Sequence, residues 1–338
     1  MRIIIDAMGG DNAPMEIVRG AVDAQREFGV DIVLTGVRSE VEKCLAGCGA
    51  AEDGHISIEH ADEVITMHDD PSTAVRAKPG SSMAVGLSQL RDGKCDAFVS
   101  AGSTGALLAG ATLKVKRIRG IRRACLAPVI PNGKNGALLI DCGANAECSS
   151  EYLLQFAYMG SFYARRMLSC ENARVGLLNI GAEESKGTEL QKETYALLRQ
   201  AGEAGRINFV GNIEAGDVLF DRADVIVTDG FSGNILLKSL EGTSKFFLGQ
   251  IKAMLAALEP SAAAAVAGGL GALKKSMDAS ETGGTPLLGI TRPVIKAHGS
   301  SNARAIRSAV RQAIAFVENG VIDDIIANLD YMKLDHAK

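Results

Sequence analysis

No stretch of this chain is apolar for long enough to cross a bilayer, which takes roughly 20 residues. The first residues enter a strand at once, without the basic and then apolar layout of a signal peptide, so a cytoplasmic protein is expected. Tryptophan is absent and aromatics reach only 4%, while 38 of the 338 residues are glycine. Small residues suit tight strand–turn–helix units and a close approach of backbone to ligand. A formal net charge of −4 offers no global attraction to nucleic acid, and no nucleic-acid partner is expected. Neither a P-loop nor a GxGxxG in register occurs, which removes two common phosphate signatures.

Seven cysteines in a chain of this size do not suggest a disulfide framework. Cys44 and Cys48 fall four apart on a helical pattern, and Cys142 and Cys148 flank a Gly-Ala-Asn turn. Neither pair has zinc spacing, and no metal is expected. Cys142 has no histidine near it in sequence, so a small buried residue is expected there rather than an acyl-accepting thiol.

What the chain does have is alternation. Apolar runs at Ile3–Ile5, Asp31–Leu34, Ile56–Glu59, Ala97–Ser100, Ala137–Asp141, Val175–Asn179, Asn208–Val210 and Val225–Asp229 read as strands. Amphipathic stretches such as Met15–Phe28, Met83–Arg91, Thr104–Val115, Tyr152–Leu168 and Leu190–Gln200 read as helices between them. Continuous apolar strands are expected where helices cover both faces of a parallel sheet. The pattern predicts an α/β protein, a three-layer αβα sandwich with a mostly parallel sheet, over residues 1–338 as a single domain. After Phe231 the texture changes: 234–258 reads as one long helix, with a break at Gly242 or Gly249 as an alternative. Pro260 and later glycines interrupt an alanine-rich stretch, and 301–318 reads as a helix capped by Ser301 or Asn302.

Several strand ends share one style. Ile5 runs into Asp6-Ala-Met-Gly-Gly-Asp11, Ser100 into Ala-Gly102-Ser103-Thr104-Gly105, and Asp141 into Cys-Gly-Ala-Asn145. Asn179 leads into Ile-Gly-Ala-Glu-Glu-Ser-Lys186-Gly-Thr, and Thr228 into Asp229-Gly-Phe-Ser232-Gly233-Asn234. One such loop is ordinary turn chemistry. Five in one chain predict amides and hydroxyls gathered around a small anion at the carboxyl ends of the strands.

The segments AMGGDNAP, AVRAKPGSSM, SAGSTGALLA, DCGANAE, NIGAEESKGT, TDGFSGNI and KAHGSSN, in that order, closely resemble the bacterial PlsX family over essentially the whole chain. Ser103 stands where Asn is expected in many relatives, and both side chains can hydrogen-bond. The resemblance implies transfer of a long-chain fatty acyl group from acyl carrier protein to inorganic phosphate, giving acyl phosphate for phospholipid synthesis. It implies a fold similar to isocitrate and isopropylmalate dehydrogenases and to phosphotransacetylases, and a homodimer with no cofactor. Peripheral association with the inner face of the membrane, near a glycerol-3-phosphate acyltransferase, is implied as well.

Phosphate is already a competent nucleophile near neutral pH, so such a site must position it and stabilise an oxyanion. Lys186 is the first candidate for binding phosphate or the oxyanion, against a plain surface lysine at a helix start. Asn234 can donate to the carbonyl oxygen, with an N-cap role as the alternative. Asp229 can orient Lys186, take a proton from hydrogen phosphate, or cap its own turn. His298 can protonate the thiolate, or serve as a structural turn residue. Phosphate-binding candidates are Asp6, Gly9, Gly10, Asp11, Gly102, Ser103, Thr104, Gly105, Asn145, Ser232 and Gly233. Arg76, Lys78, Ser81 and Ser82 are candidates for phosphate or for the acidic carrier protein, against a solvated loop. Within 246–277, Phe247, Ile251, Met254, Leu255 and Leu258 recur at helical spacing with Lys252, Lys274 and Lys275 nearby, as a membrane- or dimer-facing stripe. The rivals are a coenzyme A-dependent phosphotransacetylase, a dehydrogenase, and a non-catalytic membrane scaffold.

Overall fold

The computed structural model describes residues 1–257, 259, 269, 271 and 283–332. Leu258, Lys274 and Lys275 lie outside the described residues.

The α/β alternation is present, with its strands divided between two sheets. Strands β1 (Arg2–Asp6), β2 (Asp31–Gly36), β3 (Ile56–His60), β4 (Ala97–Ser100) and β5 (Cys125–Leu126) belong to the first. The chain then crosses to β6 (Val129–Ile130), β7 (Ala137–Ile140), β8 (Arg174–Asn179), β9 (Asn208–Glu214) and β10 (Val225–Val227). It returns to the first sheet through β11 (Thr285–Leu288) and β12 (Val294–Lys296). The seven-stranded sheet runs β3-β2-β1-β4-β12-β11-β5 and the five-stranded one β6-β7-β10-β8-β9. Pairing is parallel except where β11 meets β12 and β5, and where β6 meets β7. These antiparallel pieces are short, and their two- to four-residue apolar runs carry no period that sequence reading can use.

Helices α1 (Met15–Phe28), α2 (Arg38–Gly47), α3 (Ala74–Ala77), α4 (Ser82–Arg91), α5 (Thr104–Gly110), α6 (Ser150–Met167) and α7 (Glu189–Glu203) alternate with the strands. Beyond Gly110 the helix expected to Val115 widens into a π-helical turn over Ala111–Val115. Helix α8 (Gly230–Ala256) is unbroken and starts four residues before the expected position, because Asp229 caps it by accepting from Ser232 N at 2.8 Å. Helices α9 (Ala303–Glu318) and α10 (Val321–Ala327) follow β12.

Ile3, Ile4 and Ile5 are completely buried, as a parallel strand covered on both faces requires. One apolar cluster runs from Ile3 and Ile5 through Ile118 and Cys125 to Leu138, Ile140 and Val227, so it spans both sheets. Helix α1 packs on α9 through Gly20: a β-carbon there would fall 2.5 Å from the carbonyl oxygen of Ala303 and 2.7 Å from Ile306 Cβ. Glu16 Oε2 accepts from Ala303 N at 2.9 Å and holds the first turn of α9 in the same place. The beginning of α9 is thereby fixed beside the end of β12, where the site lies.

Candidate functional site

The carboxyl ends of the parallel strands border a cleft of about 640 Å³ between the sheets. β12 delivers Lys296 and then His298, Ser300 and Ser301 to one wall. The other wall is the loop after β7, with Cys142 and Gly143, and the face of α8 carrying Asn234, Lys238 and Glu241. Thr104, at the start of α5, lines it as well. A larger hollow of about 940 Å³ lies beside Arg117, Arg119 and Arg122, with none of the glycine-rich strand-end loops in its wall. Three of the five glycine-rich strand-end segments reach the smaller cleft, through Thr104, through Cys142 and Gly143, and through Asn234.

Two buried carboxylates brace the strand ends that border the cleft, without lining it. Asp6 is 1% exposed and accepts from Ser82 Oγ at 2.6 Å, Ser100 Oγ at 2.7 Å and Met8 N at 3.3 Å. Burial raises its pKa against the lowering effect of these donors. Asp141 accepts from Leu126 N at 2.9 Å, Cys142 N at 2.6 Å and Asn145 N at 2.7 Å, and from Asn145 Nδ2 at 2.9 Å. Burial raises its pKa too. Each carboxylate ties a strand end to a neighbouring loop, so both shape the site from behind it.

Of the expected site residues, the structure brings Thr104, Asn234 and His298 together in the cleft. Asn234 is four residues into α8, not at its N-cap, and Gly143 faces it: a β-carbon on Gly143 would stand 3.5 Å from Asn234 Oδ1. His298 Nδ1 lies 2.9 Å from Ser300 Oγ and Nε2 lies 3.4 Å from Lys238 Nζ. Lysine can only donate, and the backbone N–H of Ser300 also points at Nδ1, at 3.3 Å, so donors approach both ring nitrogens. Burial first, and then the Lys238 charge, lowers the pKa of His298 and favours the neutral ring.

Other expected residues serve the frame. Gly9 lies against Asp6 and Gly102, with room for no side chain: its β-carbon would fall 2.5 Å from Asp6 Oδ2. Gly10 has φ +106° and packs on Gly299 O, to which Asp11 N donates at 2.8 Å. Ser103 caps α5, and Gly105 lies against Pro71. Ser81 caps α4, Ser82 is spent on Asp6, and Lys78 is paired to Asp69 at 2.7 Å. Arg76 is exposed on α3. Asn145 Nδ2 also donates to Ala124 O, Asp229 caps α8 through Ser232 N, and Gly233 packs on Asp141 O.

Lys186 stands exposed on the loop after β8, its stem folded over Gly181. It is not among the residues lining the cleft, although β8 and β10 are parallel neighbours and their loops share one sheet edge. Cys142 is 6% exposed, its Sγ donates to Gly233 O at 3.2 Å, and burial pushes its pKa up to about 12. A thiol so held is not a nucleophile at neutral pH.

Sequence reasoning missed Lys296, Lys238, Glu241 and Ser301. Lys296 stood inside the quoted KAHGSSN segment, where a lysine ending an apolar strand was the available signal. Lys238 and Glu241, 2.7 Å apart, read in sequence as an ordinary helix-surface pair.

The model of the family described as "Fatty acid synthesis protein" matches residues 1–324. The phosphate acyltransferase of Thermoanaerobacterium thermosaccharolyticum is 46% identical over 96% of both chains. This chain belongs to that family, the PlsX-type phosphate acyltransferases. A second member, from Geobacillus thermodenitrificans, is 47% identical over 98% of this chain and 99% of its own. Among solved structures, a phosphotransacetylase from Streptococcus pyogenes matches with a TM-score of 0.60 at 18% identity, covering 94% of each chain. A 4-hydroxythreonine-4-phosphate dehydrogenase from Klebsiella pneumoniae matches with a TM-score of 0.54 at 11% identity, covering 94% of this chain and 99% of that one. These distant likenesses show a shared fold.

Proposed function

We propose that the chain transfers a long-chain fatty acyl group from acyl-[acyl carrier protein] to inorganic phosphate, releasing acyl phosphate for phospholipid synthesis. The observation that carries this reading is the composition of the cleft: Lys238, Lys296, Thr104 and Asn234 offer donors, while Cys142 is held as a neutral thiol. Such a site favours attack by a bound oxyanion over attack by a protein side chain. An oxygen of hydrogen phosphate bonds to the thioester carbon, the carbon–sulfur bond breaks, and the electron pair leaves on sulfur. The proton of hydrogen phosphate ends on that sulfur, so acyl phosphate and free thiol balance the reactants.

In this reading Asn234 donates to the carbonyl oxygen as its charge grows, and Lys186 closes on the same oxyanion from the neighbouring loop. His298, with Lys238 beside it, relays the proton to the departing thiolate, and Asp229 holds the start of α8. Leu237 and Leu248 on the cleft face of α8 supply apolar wall for the acyl chain. The outer part of α8 supports a partner: nothing from Asn234 to Ala256 is buried, and Phe246, Phe247 and Met254 are exposed. Ile251 and Leu255 are half-buried on the same helix. A second copy of the chain, with peripheral membrane contact close to a glycerol-3-phosphate acyltransferase, fits that surface. Among the described residues no helix is long and apolar enough to cross a membrane.

The test is formation of acyl phosphate from purified protein, phosphate and either acyl carrier protein or coenzyme A thioesters. Preference for the carrier-protein thioester is expected. Equal or better use of short coenzyme A thioesters would replace this reading with a phosphotransacetylase, and no turnover would favour a scaffold.

A further inference from the structure

The loop from β8 to α7 exposes every residue from Ala182 to Lys186, and surface loops of that kind are ordinarily mobile. Here two asparagines, 9% and 8% exposed, hold it from beneath. Asn179, the last residue of β8, donates through Nδ2 to Lys186 O at 3.2 Å and accepts from Ile180 N at 2.8 Å. Asn212, on the neighbouring strand β9, donates through Nδ2 to Glu183 O at 2.8 Å. Glu183 O also accepts from Lys186 N at 3.1 Å. Both main-chain groups of Lys186 are therefore tied to a buried amide, one directly and one through a shared oxygen.

The surrounding chain is shaped for these contacts. Val175 pairs with Phe209 and Leu177 with Asn212, so Val210 and Gly211 share the place opposite Gly176. A bulge of this kind re-aims the side chains beside it, and Asn212 is the first residue after it. A β-carbon on Gly181 would fall 2.9 Å from Lys186 Cγ, so a glycine there leaves room for the lysine stem. Asn212 Oδ1 is buried with no hydrogen-bond partner among the described residues. An orphan oxygen costs stability, and an apolar side chain of similar size avoids that cost. Asparagine is thus not the residue that stability alone selects at 212.

We propose that Asn179 and Asn212 are positioning residues that fix the backbone of Lys186, so that its ammonium reaches the carbonyl oxygen by rotation of the side chain over Gly181. The inference rests on the acyl-transfer reading, in which Lys186 meets the developing oxyanion. A lysine on a mobile loop must order both loop and stem at every turnover, whereas a fixed backbone leaves only the stem to order.

The test compares wild type, Asn212→Leu, Gly181→Ala, Lys186→Ala and the double variant of Asn212→Leu with Lys186→Ala. Asn212→Leu is expected to lower kcat at least about tenfold, with both KM values within about twofold of wild type. Its Tm is expected within about 2 °C of wild type, because removal of the orphan oxygen offsets the lost hydrogen bonds. The double variant is expected within about twofold of Lys186→Ala in kcat, since the asparagine acts through that lysine; a merely structural asparagine would lower kcat further. Gly181→Ala, which displaces the stem and leaves both asparagines in place, is expected to lower kcat with an unchanged Tm, and it carries the test where Asn212→Leu does not fold. Hydrogen exchange across residues 180–188, read by mass spectrometry, should be slow in wild type and at least about tenfold faster in Asn212→Leu. A slow Lys186→Ala beside a fully active Asn212→Leu, or losses that add in the double variant, overturns the positioning role and leaves the acyl-transfer reading standing. Lys186→Ala at full rate overturns the role of the lysine and of both asparagines together. A wild type that makes no acyl phosphate, while its loop exchanges slowly, overturns the acyl-transfer reading and leaves the hold on the loop standing.

Discussion

A β-carbon added to Gly233 would stand 2.0 Å from the carbonyl oxygen of Asp141. That contact presses the first turn of α8 onto the end of β7 and sets the angle at which Asn234 meets Gly143. Gly233→Ala therefore pits two effects against each other. Alanine is worth up to about 1 kcal/mol over glycine inside a helix. Overlap with a fixed backbone oxygen typically costs about 1–3 kcal/mol and moves the helix. The clash is expected to win: a lower Tm, and a kcat loss larger than the stability loss explains. A variant as stable and as active as wild type would show that α8 is not held this way.

Asn234→Ala should lower kcat by about 10²–10³-fold with little change in the phosphate KM, the signature of a donor lost from a developing oxyanion. Lys186→Ala is expected to act in the same direction. Steady-state kinetics on the carrier-protein thioester checks both. Lys186→Ala at full rate would leave that lysine as an exposed loop residue.

Lys296 makes the stability depend on pH with a definite sign. Its pKa falls from 10.5 to about 8 in the fold, so the unfolded chain holds this proton more firmly. Between those two values the native state has already released it, and stability rises with pH. The gain, roughly 3 kcal/mol from a displacement of this size in a buried group, is absent from Lys296→Met. Denaturant unfolding of both proteins from pH 7.5 to pH 11 should show the gap narrowing in favour of wild type, and parallel curves would refute the buried ammonium.

Leu255→Glu places a charge on the half-buried stripe of α8, far along the helix from Asn234. Release from anionic vesicles in a flotation assay is expected, with soluble activity within about twofold of wild type, since the change removes apolar area and leaves the cleft intact. Unchanged vesicle binding, with an altered sedimentation mass, would reassign the stripe to contact between copies of the chain.

Much of the architecture was legible from periodicity. Ile3–Ile5 and Val225–Val227 are buried on both faces, so their strands are unbroken apolar runs that a local window detects. The glycine-bearing turns at the strand ends were legible for the same local reason. The division into two sheets was not legible, because β5, β6, β11 and β12 are two to four residues long, and β5 and β12 join the first sheet through partners far off in sequence. Ser82 and Lys78 show the limit from the other side. Both looked like anion binders in a basic, hydroxyl-rich loop, yet tertiary contacts with Asp6 and Asp69 use them up.

Residue order alone, through burial period and capping chemistry, determined the longer strands and helices and which loops carry donors. Only the tertiary structure decided which donors remain free. Whether Lys296 is a solvated charge or a buried one, and whether Ser301 finds a partner, depends on the meeting of β12, α1 and α9. Desolvation and through-space fields act between groups hundreds of residues apart, and no local pattern records them.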